Sequence, residues 1–145
     1  MALALPFGLL LVQRERQRSR AVARALRAQG FDVIAAPSVA MAEVLDCSFD
    51  AGVIELDLED GDGLELARTL LAAGRIEEVV FFTGSVAFGR AEAARGLGIL
   101  IEHREGVEAL LPVLMQLVRT RGPQSSGKIP VLDTVPDDAW RWRAG

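Results

Sequence analysis

The sequence has one cysteine, one histidine, one lysine and no tyrosine among its 145 residues. A lone Cys47 cannot close a disulfide within the chain, and with His103 as the single imidazole a zinc site of the Cys/His type is excluded. The Cys47 thiol is expected simply to pack. No apolar run approaches the roughly 20 residues that a membrane-spanning helix needs. The opening M-A-L-A-L-P-F-G-L-L-L-V is apolar, but it lacks a basic leader and a small-residue cleavage site, and it runs straight into a strand-like segment. The expectation is a cytoplasmic protein with no membrane contact.

Half of the residues are apolar and a quarter are charged, which suits one compact domain with a real core. The formal charge of −4 hides an uneven distribution. Fifteen of the sixteen cations are arginine, and six of them (Arg14, Arg16, Arg18, Arg20, Arg24, Arg27) fall within fourteen residues. Such a run meets phosphate or an acidic partner, or it is the solvated face of a helix. The acidic counterpart is V-I-E-L-D-L-E-D-G-D-G at 53–63, where five of the eight residues from Glu55 to Asp62 carry carboxylates. Crowding of that kind calls for a nearby cation, a proton or water.

The period of hydrophobicity sets the architecture. Leu9–Val12 reads as a fully buried strand, and Glu15–Gln29 as a helix with Val22 and Leu26 on one side, arginines on the other and Gly30 as its stop. Phe31–Ala35 is a second strand, and Ser38 caps a helix over Val39–Leu45. Ala51–Leu56 is a third strand, followed by the acidic turn and a helix over Leu64–Ala73. A fourth strand spans Val79–Thr83, with a helix over Val86–Arg95 ended by Gly96. Ile99–Glu102 is a fifth strand, and Val107–Arg121 a last helix whose start Pro112 kinks or delays. Nearly continuous apolar strands alternating with helices predict an open, doubly wound parallel α/β sheet. Function then belongs beyond the carboxyl ends of the strands. Gln13 and Arg14, the acidic stretch, Thr83-Gly84-Ser85, and His103 with Arg104 all fall at such ends.

Several segments carry a resemblance: L-L-L-V before a helix ending in Q-G-F-D-V, A-A-P-S-V-A-M-A-E-V-L, D-G-L-E-L-A-R-T-L after the third strand, and V-V-F-F-T-G-S-V. With these, residues 9–121 resemble the CheY-like receiver domain of two-component response regulators, a flavodoxin-like (βα)5 fold of strand order 2-1-3-4-5. Residues 1–8 are then an N-terminal extension and 122–145 a linker and tail. L-E-D-G-D-G is similar to the loop of redox- and photosynthesis-controlling response regulators, where it replaces the commoner proline-containing loop.

The resemblance implies a phosphoacceptor aspartate at the end of the third strand, an acidic pair for Mg²⁺ after the first, a Thr or Ser after the fourth and a Lys-Pro after the fifth. Counting seven back from Asp62 places Glu55 at the acceptor position; the acidic pair falls on Gln13 and Arg14, the switch hydroxyl on Thr83 and the lysine on His103. Leu100 stands where a Tyr or Phe often switches rotamer. Thr83 is then expected as no more than a hydroxyl capping the next helix. A register shift of two would make Asp57 the acceptor instead, against the ungapped fit of the loop. Mg²⁺ wants carboxylate and water oxygens, so Gln13 and Arg14 imply no bound metal. The Arg14 guanidinium is expected to pair with Glu55 where the ion would have been. Glu55, one methylene longer than aspartate, either imitates the phosphorylated state or marks an inert site.

The tail changes character at G-P-Q-S-S-G-K-I-P, which reads as a flexible linker. Trp140 and Trp142 around Arg141 are either a docking motif or a segment that folds back or stays disordered. No helix-turn-helix pattern follows, so direct nucleic-acid binding is not expected. The expected function is non-enzymatic: an atypical single-domain response regulator, a pseudo-receiver acting through protein contacts independently of phosphorylation, as monomer or weak homodimer. Its partners would be a histidine kinase or a downstream effector, met by a face carrying Arg90, Arg95, Leu100, Glu102, Arg104 and Glu105. The rival is a working phosphorelay receiver that uses Asp57 or Glu55 with Mg²⁺ and a histidine kinase. A scaffold that does not switch is a third reading.

Overall fold

Leu9, Leu10, Leu11 and Val12 are each at most 1% exposed, so this apolar run is covered on both faces and forms the strand β1 (Gly8–Val12). The computed structural model describes residues 7–120. After β1 come α1 (Arg16–Ala28), β2 (Asp32–Ala36), α2 (Val39–Val44) and β3 (Ala51–Ile54). A short antiparallel pair, β4 (Asp57–Leu58) and β5 (Gly61–Asp62), precedes α3 (Gly63–Ala72). Then follow β6 (Glu78–Thr83), α4 (Phe88–Leu97) and β7 (Ile99–Glu102). The main sheet is entirely parallel, in the order β2-β1-β3-β6-β7. Counting only its own strands along the chain, that is the expected 2-1-3-4-5.

Alternation along the strands divides the core. Leu10, Val12, Ile54, Val79 and Phe81 join one apolar cluster with Ala42 of α2, Leu66 and Leu70 of α3 and Ala94 of α4. Their neighbours Leu9, Leu11, Val53, Val80 and Phe82 are equally buried but lie outside that cluster, as do Val22, Ala23 and Leu26 of α1. Gly30 closes α1 with φ 99°, a conformation that favours glycine.

The chain divides into two compact units, one ending at Leu111 and one starting at Pro112. A helix, α5, occupies 110–120 of the described residues, preceded by a 3-10 turn at Val107–Ala109. Pro112 falls in its first turn, where a missing N–H costs no helical bond, so the α-helix begins later than the apolar pattern suggests. The tail with Trp140 and Trp142 lies outside the described residues.

Two further departures have plain causes. The helix expected to stop at Gly96 runs on through Leu97, and no contact at Gly96 requires glycine there: nothing lies within 4 Å of where a side chain would stand. The stop is Gly98, where a Cβ would sit 2.1 Å from the Val79 carbonyl oxygen, so only glycine lets the chain pass β6. The acidic stretch is a hairpin rather than a plain turn, with Asp57 opposite Asp62 and Leu58 opposite Gly61.

Candidate functional site

The site forms where β1, β3, β6 and β7 end. Gln13, next after β1, is fully buried. Its Nε2 donates to the carbonyls of Val12 (3.2 Å) and Phe82 (3.0 Å). His103, next after β7, directs Nε2 at the Gln13 Oε1 (3.1 Å) and the same Phe82 carbonyl (3.0 Å). Two acceptors facing one ring nitrogen place the imidazole proton on Nε2. The ring also stands edge-on to Phe82, with centroids 4.7 Å apart.

Glu55, next after β3, is 7% exposed. Its Oε1 accepts a 2.7 Å bond from the backbone N–H of Arg14. The expected guanidinium pair is therefore corrected: Arg14 holds Glu55 through its main chain, while its side chain is exposed and, among the described residues, in no ion pair with Glu55. Strand alternation explains it, because with Gln13 turned inward the next side chain faces out. Thr83, 1% exposed, accepts from the Leu56 N–H at 3.2 Å. It does not cap α4, whose N-cap position is Ala87; it ties the end of β6 to the turn after β3.

The acidic hairpin has its own cation, which is not Arg14. Arg90, in the first turn of α4, donates to Asp57 Oδ1 (2.8 Å), Asp62 Oδ1 (2.6 Å) and the Leu56 carbonyl (3.1 Å). Burial works against its charge, but the bonds to Asp62 and Asp57 outweigh that and raise its pKa above the ordinary arginine value. Asp60 turns the other way and accepts from the N–H groups of Ala40 (3.0 Å) and Val39 (2.9 Å) at the start of α2. Those two bonds hold its pKa below the usual carboxylate range. Asp62 also accepts from Leu64 N–H at 2.9 Å and so caps α3. Asp57 and Asp62 thus share one guanidinium, while Asp60 is turned away to main-chain donors.

Arg90→Met should therefore cost about 1 kcal/mol of stability and speed amide exchange in the hairpin. Arg104→Met, whose side chain is 81% exposed beside Glu102, should cost next to nothing. Denaturant unfolding of the two variants checks the contrast.

Of the residues expected on the interaction face, Arg90 is turned onto the hairpin and Leu100 packs half-buried against the core. Arg95 pairs with Glu92, Arg104 with Glu102, and Glu105 accepts from the Glu102 N–H.

Burial, and after it the charge of Arg18, lowers the pKa of His103; the Glu55 charge and the Phe82 carbonyl pull it less strongly the other way. The unfolded chain therefore takes up a proton near pH 6.5 that the fold resists. This contribution to stability is complete above about pH 6.5 and falls away as pH drops through the window below it. Urea unfolding from about pH 7.5 to about pH 5.5 should show a decline that is shallower in His103→Gln. Equal slopes would show that His103 carries none of it.

The residues do not fit Mg²⁺. Gln13 offers a neutral amide whose oxygen faces His103, Arg14 offers an N–H and a cation, and the inward oxygen of Glu55 is already bonded. A hard divalent ion takes several oxygen ligands in near-octahedral array.

No protein-family model matches the chain, and no curated protein matches it in sequence. Solved structures match its fold. A CheY-like response regulator receiver protein from Methanospirillum hungatei superposes with a TM-score of 0.74 at 15% identity, over 83% of this chain and 99% of its own. The chain has the receiver-domain fold. A two-component response regulator from Clostridium difficile gives 0.71 at 17% identity, over 78% of this chain and 96% of its own. A response regulator receiver protein from Pseudomonas putida gives 0.66 at 20% identity, over 81% and 99%. Among the described residues, no helix is long and apolar enough to cross a membrane.

Proposed function

We propose that this receiver fold serves as a pseudo-receiver, a cytoplasmic signalling module of a two-component pathway that works by protein contact and not by phosphoryl transfer. The observation that carries the reading is the 2.7 Å bond from the Arg14 amide to a nearly buried Glu55. Glu55 stands at the acceptor position, with Gln13 and His103 joined where an acidic pair and a lysine would act. Phosphoryl transfer depends on positive charge placed around the transferring oxygens. Here those two positions hold a neutral amide and an imidazole whose pKa is lowered by burial. The carboxylate of Glu55, on a side chain one methylene longer than aspartate, stands in permanently for negative charge that phosphorylation would bring. Partners of this kind are a histidine kinase or a downstream effector, met through the surface around Arg95, Glu102, Arg104 and Glu105.

Acetyl phosphate with Mg²⁺, followed by intact mass, tests this. The expected result is an unchanged mass. Gain of one phosphoryl group that maps to Glu55 or Asp57 would establish the phosphorelay reading instead. Asp57 is the carboxylate to watch, since its side chain is 63% exposed beside Arg90.

A further inference from the structure

We propose that the groove between α1 and the free edge of β2 docks an extended acidic segment of a partner protein, which adds to β2 as an outer strand and sets alternate carboxylates against Arg20 and Arg24. The groove has a volume of about 360 Å³ and is lined by Ser19, Arg20, Ala23, Arg24, Arg27 and Ala35. Helix α1 carries five arginines and no acidic residue. Its one ion pair among the described residues joins Arg18 to Glu15, which leaves Arg16, Arg20, Arg24 and Arg27 without a carboxylate partner among those residues. In a chain of net charge −4, that is a local excess of positive charge on one surface.

The other wall is a hydrogen-bonding edge. Among the described residues, no strand lies beyond β2. The Asp32 N–H bonds to the Phe7 carbonyl toward β1, so by the alternation of a parallel ladder Val33 and Ala35 direct their N–H and C=O groups outward. Arg27 Nη2 already donates to the Val33 carbonyl at 2.9 Å, closing one end of that edge. Among the described residues, the edge at Ala35 is unpaired and exposed.

Spacing and lining select the occupant. Arg20 and Arg24 are one turn apart, about 6 Å along the helix. Same-face side chains of an extended strand repeat every 6.5–7 Å or so, which matches carboxylates at every second residue. No aromatic side chain lines the groove, so it has no platform for nucleobases. A peptide backbone can pair with the edge at Ala35, whereas a nucleic-acid backbone cannot.

The full chain, labelled with ¹⁵N, is titrated with a blocked peptide of alternating threonine and glutamate, about eight residues long. The expected result is saturable amide shifts from Ser19 to Arg27 and at Ala35. Affinity should fall at least about tenfold in Arg20→Gln/Arg24→Gln, a change that keeps the helix and removes two charges. A backbone N-methylated copy of the peptide, equal in charge but unable to pair, should lose the Ala35 shift and most of the affinity. Absence of binding, shifts mapping elsewhere, or equal affinity of the N-methylated peptide would overturn the proposal. So would stronger binding of an oligothymidylate, or self-association of the native chain that the double substitution abolishes. The groove stands apart from the Glu55 site, and neither result depends on how that site responds to phosphodonors.

Discussion

Gly63→Ala is expected to destabilise the fold by about 3 kcal/mol or more. A Cβ at this position would stand 1.9 Å from the Glu55 carbonyl oxygen and 2.8 Å from its carbon, so backbone would have to yield. The Gly63 N–H also donates to the Leu56 carbonyl at 2.8 Å, which fixes the approach that causes the collision. The usual advantage of removing a glycine's unfolded-state freedom, about 0.4–1 kcal/mol, works in the opposite direction and is too small to compensate. Gly96→Ala is the control. It lies inside α4 with nothing within 4 Å of the new methyl, and it should stabilise by about 0.5–1 kcal/mol. Urea unfolding of the two variants should move the midpoint in opposite directions. A small loss in Gly63→Ala would mean that α3 does not start against the Glu55 backbone.

Thr83→Val is expected to cost about 1–3 kcal/mol, although it changes neither volume nor branching. Thr83 is 1% exposed, and its hydroxyl is the acceptor for the Leu56 N–H at 3.2 Å. Valine fills the same space but leaves that donor buried without a partner, and the desolvation penalty of an unmade hydrogen bond exceeds the worth of a made one. Thr83→Ser keeps the oxygen and should be the milder change. Equal losses in the two would show that packing, not the hydroxyl, ties β6 to the turn after β3. Since Leu56 follows Glu55, Thr83→Val should also speed amide exchange at Leu56.

The sheet was legible because a parallel strand buried on both faces needs an unbroken apolar run, and Leu9–Val12 or Val79–Phe82 can be little else. The convergence of Gln13, Glu55, Thr83 and His103 was legible for the same reason, since each follows or ends a strand at the carboxyl end of the sheet. The cation of the acidic hairpin was not. Charge and a place at the acidic-pair position of the resembled family pointed to Arg14, whereas one step along an extended chain reverses the side chain's face. Arg90, which does the work, is 33 residues from Asp57 and 28 from Asp62, and only the placement of α4 over the hairpin brings them together. The one sequence signal for it was its position near the start of the helix after the fourth main strand, at the site's end of the sheet. The stop at Gly98 was hidden by a second glycine two residues earlier; the choice between them is made by the Val79 carbonyl across the interface.

The site is held by its own groups: the Arg14 amide on Glu55, the Gln13 amide on His103 and the Thr83 hydroxyl on the Leu56 N–H. The most direct measurement is a Mg²⁺ titration of the ¹⁵N-labelled chain into the millimolar range, followed at the amides of Arg14, Leu56 and Thr83. No saturable shift is predicted at these three. A saturable shift centred on them, strengthened by beryllofluoride, would contradict it and show a site that still recruits a divalent ion and a phosphoryl group.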